Sequence, residues 1–271
     1  MFYGSTRIPS DRPDFETHLK YASRLAKLTT GLSATCSIKP ALDKKKVTNL
    51  QNKLKLVELT KQSIKDEYEI VQFDKEYSTA SVLWLPIKTY YLTYHLLCAI
   101  EYLLSGDETA LSAKHYECMD TFTQKLADGT LTFSEPLLNI VFDKSILNLR
   151  ESRGAHLKTN VPDEDIYKLL MKKVANDKIE EYKKYKGIPN VRSAGNKEKV
   201  EKFKNTMTVS IFDFFHLMRL RMSYRNFDFI DDVPSSDTKA YFEQYYKASD
   251  YFYVSLNNLK NKIIADISVG S

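Results

Sequence analysis

The sequence predicts an all-α protein, a helical bundle that carries a charged helical insertion. Three observations predict it. Eight glycines and eight prolines in 271 residues are too few for the many tight turns of an all-β chain. Apolar residues recur at three- and four-residue spacing over long segments. Capping residues stand where helices should begin, and glycines stand just past several predicted ends. With 43% hydrophobic residues, the chain can fill one sizeable core.

The first helix should begin after "SDRP", with Ser10 or Asp11 as N-cap, Pro13 in the first turn and Asp14 and Glu16 at the positive helix end. It should run to about Thr30, before Gly31. A second helix is expected over about 41–72, on a stripe of Leu50, Leu54, Val57, Ile64 and Tyr68. The third, about 79–105, is apolar nearly all round and should form the centre of the bundle. Pro86 should bend it or mark its true start. A fourth covers about 110–127. After the turn "DGT", Ser134 should cap a fifth that ends near Arg150–Gly154. The sixth starts at "TNVPDED" and stops at "GIPN". A seventh is expected over 196–226. The last should follow "DDVPSSD" and reach about Ala265, with Phe242, Tyr245, Phe252, Leu256, Leu259 and Ile263 on one face.

No linker, repeat or low-complexity tract divides the chain, so residues 1–271 read as one helical domain. The net charge of +5 is uneven. Residues 160–204 hold eleven Lys and one Arg against eight acids, which marks them as the basic helical insertion. A basic surface attracts phosphate, although a mixed-charge run more commonly forms a solvated face. The stretch 80–104 is long enough to span a bilayer, but Lys88, His95 and Glu101 within it favour a buried core helix and no membrane role. Cys36, Cys98 and Cys118 form no metal-spaced cluster, which suggests reduced thiols in a cytoplasmic protein. No signal peptide, cofactor motif or metal site is visible.

Three constellations could carry chemistry. The first is Arg150 and His156 in "LNLRESRGAHLKTN". His156 can move a proton near neutral pH, and Arg150, with Arg153 beside it, can hold a phosphate and offset charge growing at phosphorus. On an unbroken helix six steps would set the pair about 120° apart. The pair therefore needs Gly154 to turn the chain, or a site shared across a dimer. The plainer reading is a basic helix C-terminus, and Arg12–His18 repeats the spacing by chance. The second is "FFHLMRLRMSYRNFDF", where Arg221 and Arg225 share a helix face with Tyr224 nearby, either to bind phosphate or to pair with local acids. The third is the stripe Lys88, Tyr91, His95, whose buried polar tips would need partners, some of them from that arginine face. A small nucleotide near Arg221, Arg225 and His95 is a further option.

The segment "STASVLWLPIKTYYLTYHLLCAIEYLLSG" resembles the second helix of HEPN domains, "SAKHYECMDTF" their following helix, "RMSYRNFDF" their arginine- and tyrosine-bearing run, and "TKAYFEQYYKASDYFYVSLNNLKNKI" their closing helix. The resemblance covers 78–127 and 207–266, under half the chain. It implies a HEPN-like core in a helical bundle that forms a homodimer. It also implies RNA as substrate or ligand, and metal-independent endoribonuclease activity in bacterial toxin–antitoxin or antiviral defence. The family's catalytic signature is Arg, four to six residues, then His. No histidine follows Arg219 or Arg221 here, and the nearby match to that spacing is Arg150–His156. Non-catalytic members serve as binding or scaffold domains. Two readings therefore stand: an RNA-acting protein, with Arg150 and His156 catalytic and Arg153, Arg221, Arg225, Tyr224 and His95 holding substrate, or a helical interaction module that binds a protein partner.

Overall fold

The computed structural model describes residues 15–40, 47–48, 50–150, 161–224 and 235–269. They form an all-α fold with one two-stranded ribbon. Its axis is α3 (Lys75–Ser105), 31 residues long and apolar round its circumference. Asp74 caps its start, accepting a bond from the Tyr77 N–H at 2.9 Å. Gly106 ends it at φ 73°, a conformation that costs glycine little. The helix runs through Pro86 and begins eleven residues before it. No helix among the described residues is long and apolar enough to cross a membrane.

Around α3 pack α2 (Gln51–Val71), α7 (Ile211–Tyr224) and the 35-residue α8 (Ser235–Val269), and α1 (Phe15–Thr29) lies along α8. The expected face of α8 is buried throughout, with Phe242, Phe252 and Leu256 fully enclosed. The α2 stripe also holds: Leu50, Val57 and Ile64 are core residues, and Leu54 and Tyr68 pack against them. The helix itself begins at Gln51, after a short 3-10 turn, rather than near 41. Likewise α4 (His115–Ala127) starts later than 110, because a separate 3-10 turn, Glu108–Ser112, is capped by Asp107.

Two expectations fail. No fifth helix forms at 134–150. Residues Leu131–Phe133 are a strand, β2, paired antiparallel with β1 (Ala34–Cys36). Two 3-10 turns follow, Pro136–Asn139 and Lys144–Asn148. The reason is local competition. Glu135 and Asp143 accept from the N–H two residues on, and the Asn139 amide bonds both backbone groups of Phe133, at 2.6 and 2.8 Å. Short polar side chains that satisfy the backbone this way displace helix. The seventh helix is in fact two, α6 (Ala194–Thr206) and α7. At the break, Val209 and Phe142 exchange two backbone bonds of 2.8 and 2.9 Å. Ser210 then opens α7 with a reciprocal cap: its Oγ accepts from Phe212 N–H, and Asp213 accepts from Ser210 N–H.

The sixth expected helix is α5 (Asp163–Tyr185), with three acids in its first turn. Asp163 receives Arg24 at 2.5 Å and Lys27 at 2.6 Å, which ties α5 to α1. Within the basic segment the two helices differ in burial. α5 contributes Ile166, Tyr167, Leu170, Met171 and Val174 to the common core, whereas α6 buries Val200 alone among its residues. Two of the three cysteines, dispersed in sequence, meet in space, with Cys98 and Cys118 sulfurs 4.0 Å apart.

Candidate functional site

The seam between α3 and α7 gathers the polar groups that the sequence scatters. Of the stripe Lys88, Tyr91, His95, the lysine turns to α2 and pairs with buried Glu67 at 3.0 Å. Tyr91 accepts a bond from Arg219 of α7 at 3.0 Å. The Arg219 guanidinium also lies over the Tyr91 and Tyr90 rings, at 5.5 and 5.8 Å. Tyr90 is fully buried, and its hydroxyl meets His115 Nδ1 of α4 at 2.6 Å. Tyr94 donates to the Ala113 carbonyl, and its ring lies 4.4 Å from His115. His95 packs on Tyr94 at 5.1 Å, and His216 of α7 packs on Tyr90 at 5.4 Å. Three histidines and three tyrosines thus form one cluster, with the Arg219 guanidinium against Tyr90 and Tyr91.

Burial, aided by nearby cations, lowers the pKa of all three imidazoles. Burial pushes His216 down to about 4, helped by Arg219, His115 and Lys178. Burial also lowers His95 to about 4, helped by Lys53 and His115. His115 shifts the same way, through burial and then Arg219. Tyr90 is raised, chiefly by burial. His95 and His216, held near 4, make poor general acids or bases at pH 7. Nδ1 of His95 and of His216 is buried without a hydrogen-bond partner among the described residues. No group of three or more His, Cys, Asp or Glu among those residues could hold a metal ion.

Of the site residues expected from sequence, His95 lies in this cluster. Arg150 is exposed and follows a 3-10 turn, not a helix end, so the helix geometry argued for it does not apply. His156, Arg153 and Arg225 lie outside the described residues, and Arg221 and Tyr224 are on α7 with side chains outside that description. The expected meeting of the Tyr91 stripe with the arginine-bearing helix is observed, through Arg219 rather than Arg221 or Arg225, and His115 and His216 join it from α4 and α7. The signal was the register of "TYYLTYH", which sets Tyr91 and His95 on one face of α3 and Tyr90 and Tyr94 on the adjoining one.

His216 also lines a cleft of about 360 Å³ between α4, α5, α6 and α7. Its walls are aromatic. Tyr182 and Phe203 stack at 4.0 Å with their planes 5° apart. Tyr116 and Tyr185 stand at the rim, 55% and 82% exposed. The floor is an ion pair: Lys178 donates to Asp213 at 2.8 Å, to the Thr208 carbonyl at 3.0 Å and to Asp120 at 3.2 Å. Burial opposes the Lys178 charge, and Asp213 and Asp120 more than offset it, so its pKa is raised. Burial raises the Asp213 carboxyl, against the pull of Lys178.

A second concavity, about 570 Å³, is lined by Lys183, Arg192, Lys197 and Lys204 with Glu180 and Glu201. Residues 178, 181, 182 and 185 of α5 face the first cleft, and 176, 179, 180 and 183 face the second. The two sets are offset by two residues, about 200°, so the concavities flank opposite faces of one helix. At the C-terminal end of α5, Lys184, Tyr185 and the capping Lys186 are exposed.

The chain matches no family model, no curated protein and no solved structure. Function therefore rests on this geometry.

Proposed function

We propose that the protein is a HEPN-like RNA-binding protein that takes a single strand over the end of α5. The observation that carries this reading is the pairing of a basic groove with an aromatic-walled cleft on two faces of that helix. Single-stranded nucleic acid is held by cations along its backbone and by rings on which bases stack, and neither needs a particular sequence. Arg192 and Lys197 would take phosphates, while Tyr185 and Tyr116 offer stacking faces. The packing of Tyr91 against Arg219 supports the HEPN likeness, because the resemblance joins those two runs in one bundle. On this reading the protein works in the cytoplasm as a homodimer, and the family likeness points to bacterial defence or toxin–antitoxin roles.

The test is fluorescence polarisation with a labelled single-stranded RNA nonamer. Binding should weaken steeply as salt rises, and Arg192→Glu with Lys197→Glu should abolish it at moderate salt while helicity is kept. Binding that ignores both salt and these charges would sink the proposal. Cleavage is a separate step and rests on Arg150 and His156. Total RNA incubated in chelator should be degraded by the wild type and not by His156→Ala.

One observation favours a protein partner instead. Leu59, Phe73 and Trp84 are exposed by 60%, 91% and 57% on α2, the following turn and α3. Anchors of this type suit a protein interface. A Phe73→Ser, Trp84→Ser variant that leaves RNA binding intact but loses a co-purifying protein would establish that role.

A further inference from the structure

We infer that the aromatic cleft holds one unstacked guanine base of the bound strand, read by the Asp120 carboxylate. The inference rests on the RNA-binding reading and gives its base preference.

At about 360 Å³, the cleft falls in the range of small-molecule sites and is large enough to admit a base. Its aromatic walls suit a planar ring. Its cation is already spent: the three ammonium protons of Lys178 are matched by three oxygens, of Asp213, Thr208 and Asp120. Asp213 is satisfied as well, since its second oxygen accepts from Ser210 N–H at 2.9 Å. The remaining polar groups are acceptors or neutral. Asp120 is 55% exposed on its side chain, Glu181 lines the wall, and His216 is held neutral by burial. Three carboxylates against one ammonium repel a phosphate, so the strand's backbone belongs on the basic side of α5 and a base belongs here.

A carboxylate is acceptor-only and takes two parallel donors best. Guanine presents two adjacent donors on its Watson–Crick edge, N1–H and the N2 amino group. Adenine and cytosine each present one amino donor there, and uracil one ring N–H. Single-stranded RNA exposes that edge. Asp120 is held in place by its bond to Lys178, so its oxygens are oriented before the base arrives.

The experiment compares uridine nonamers that carry a single central G, A or C with the all-uridine strand, by fluorescence polarisation at fixed salt. The guanine strand should bind about tenfold or more tightly than the others, as a bidentate contact allows. Inosine in place of guanosine removes the amino donor and should lose most of that gain. Asp120→Asn should bring the ratio to near one while binding of the all-uridine strand is kept, and a thermal melt confirms that the variant is folded. Tyr185→Ala should weaken every strand, the all-uridine one included, because stacking on a ring is sequence-tolerant. Equal affinity for all four strands, or an Asp120→Asn protein that still prefers guanine, would overturn the inference while leaving RNA binding in place. Loss of all binding in the wild type would instead sink the parent reading. An arginine side chain is also a flat double donor, so tighter binding of N-acetylarginine amide than of guanosine would also overturn it.

Discussion

Lys178→Met isolates the ion pair beneath the cleft. The Lys178 ammonium sits 2.8 Å from Asp213, whose side chain is 5% exposed, and 3.2 Å from Asp120. Methionine keeps the length and apolar stem of the side chain but leaves Asp213 as an uncompensated buried carboxylate. Removing one partner of a buried pair costs about 3–5 kcal/mol. Two features place the effect at the low end. Asp213 keeps its bond from Ser210 N–H, and Asp120 is open to water. We expect a loss of about 3 kcal/mol at pH 7, measured by urea denaturation followed by circular dichroism. The pH dependence carries a sign. Burial already raises the Asp213 carboxyl above its ordinary value of 3.8, and loss of Lys178 raises it further. A carboxyl with a raised folded pKa is penalised above that pKa and relieved as pH falls toward the unfolded value. The deficit against wild type should therefore shrink between pH 7 and pH 4. Adding Asp213→Asn to Lys178→Met should recover part of the loss, because the buried charge is gone and the cap to Ser210 can remain. A Lys178→Met protein within about 0.5 kcal/mol of wild type, as for an ordinary surface change, would refute the reasoning.

His95 and His216, both held near 4, should show flat imidazole proton shifts from pH 8 to pH 5.5 in NMR. Their folded values lie below the unfolded 6.5, so the stability they contribute is present above 6.5 and lost as pH falls toward 4, visible as a falling melting temperature. Ser210→Ala removes the α7 cap and a 2.7 Å contact with Thr123, and should cost about 1–2 kcal/mol in the same urea assay. An aromatic disulfide reagent should titrate the half-buried Cys36 first, and buried Cys98 and Cys118 only on unfolding.

The long elements were legible because their signals add up over many residues. The apolar run of α3 and the stripe of α8 each repeat one instruction for more than twenty residues. The segment 131–150 was not legible from apolar spacing, because Leu137, Leu138, Ile146 and Leu147 fit a helical period while Glu135, Asn139 and Asp143 each intercept the backbone between them. Those three side chains were the evidence for short turns. The break before α7 was readable too: Ser210 and Asp213 stand three apart before an apolar run, the pattern of a reciprocal cap. The cleft was beyond reach, since α4, α5, α6 and α7 supply it and only their packing brings Tyr116, Lys178, Phe203 and His216 together. His115 and His216, a hundred residues apart in the chain, show the same limit.

The ribbon of β1 and β2 has a kinetic consequence. Thr35 and Thr132, 97 positions apart, share a 2.7 Å hydroxyl contact across three paired residues. So short a ladder is too weak to hold a loop of that size shut alone. It can clasp only after the intervening helices α2, α3 and α4 have assembled, which makes it a late fastening in refolding, with strand amides that gain protection from exchange after those of α3.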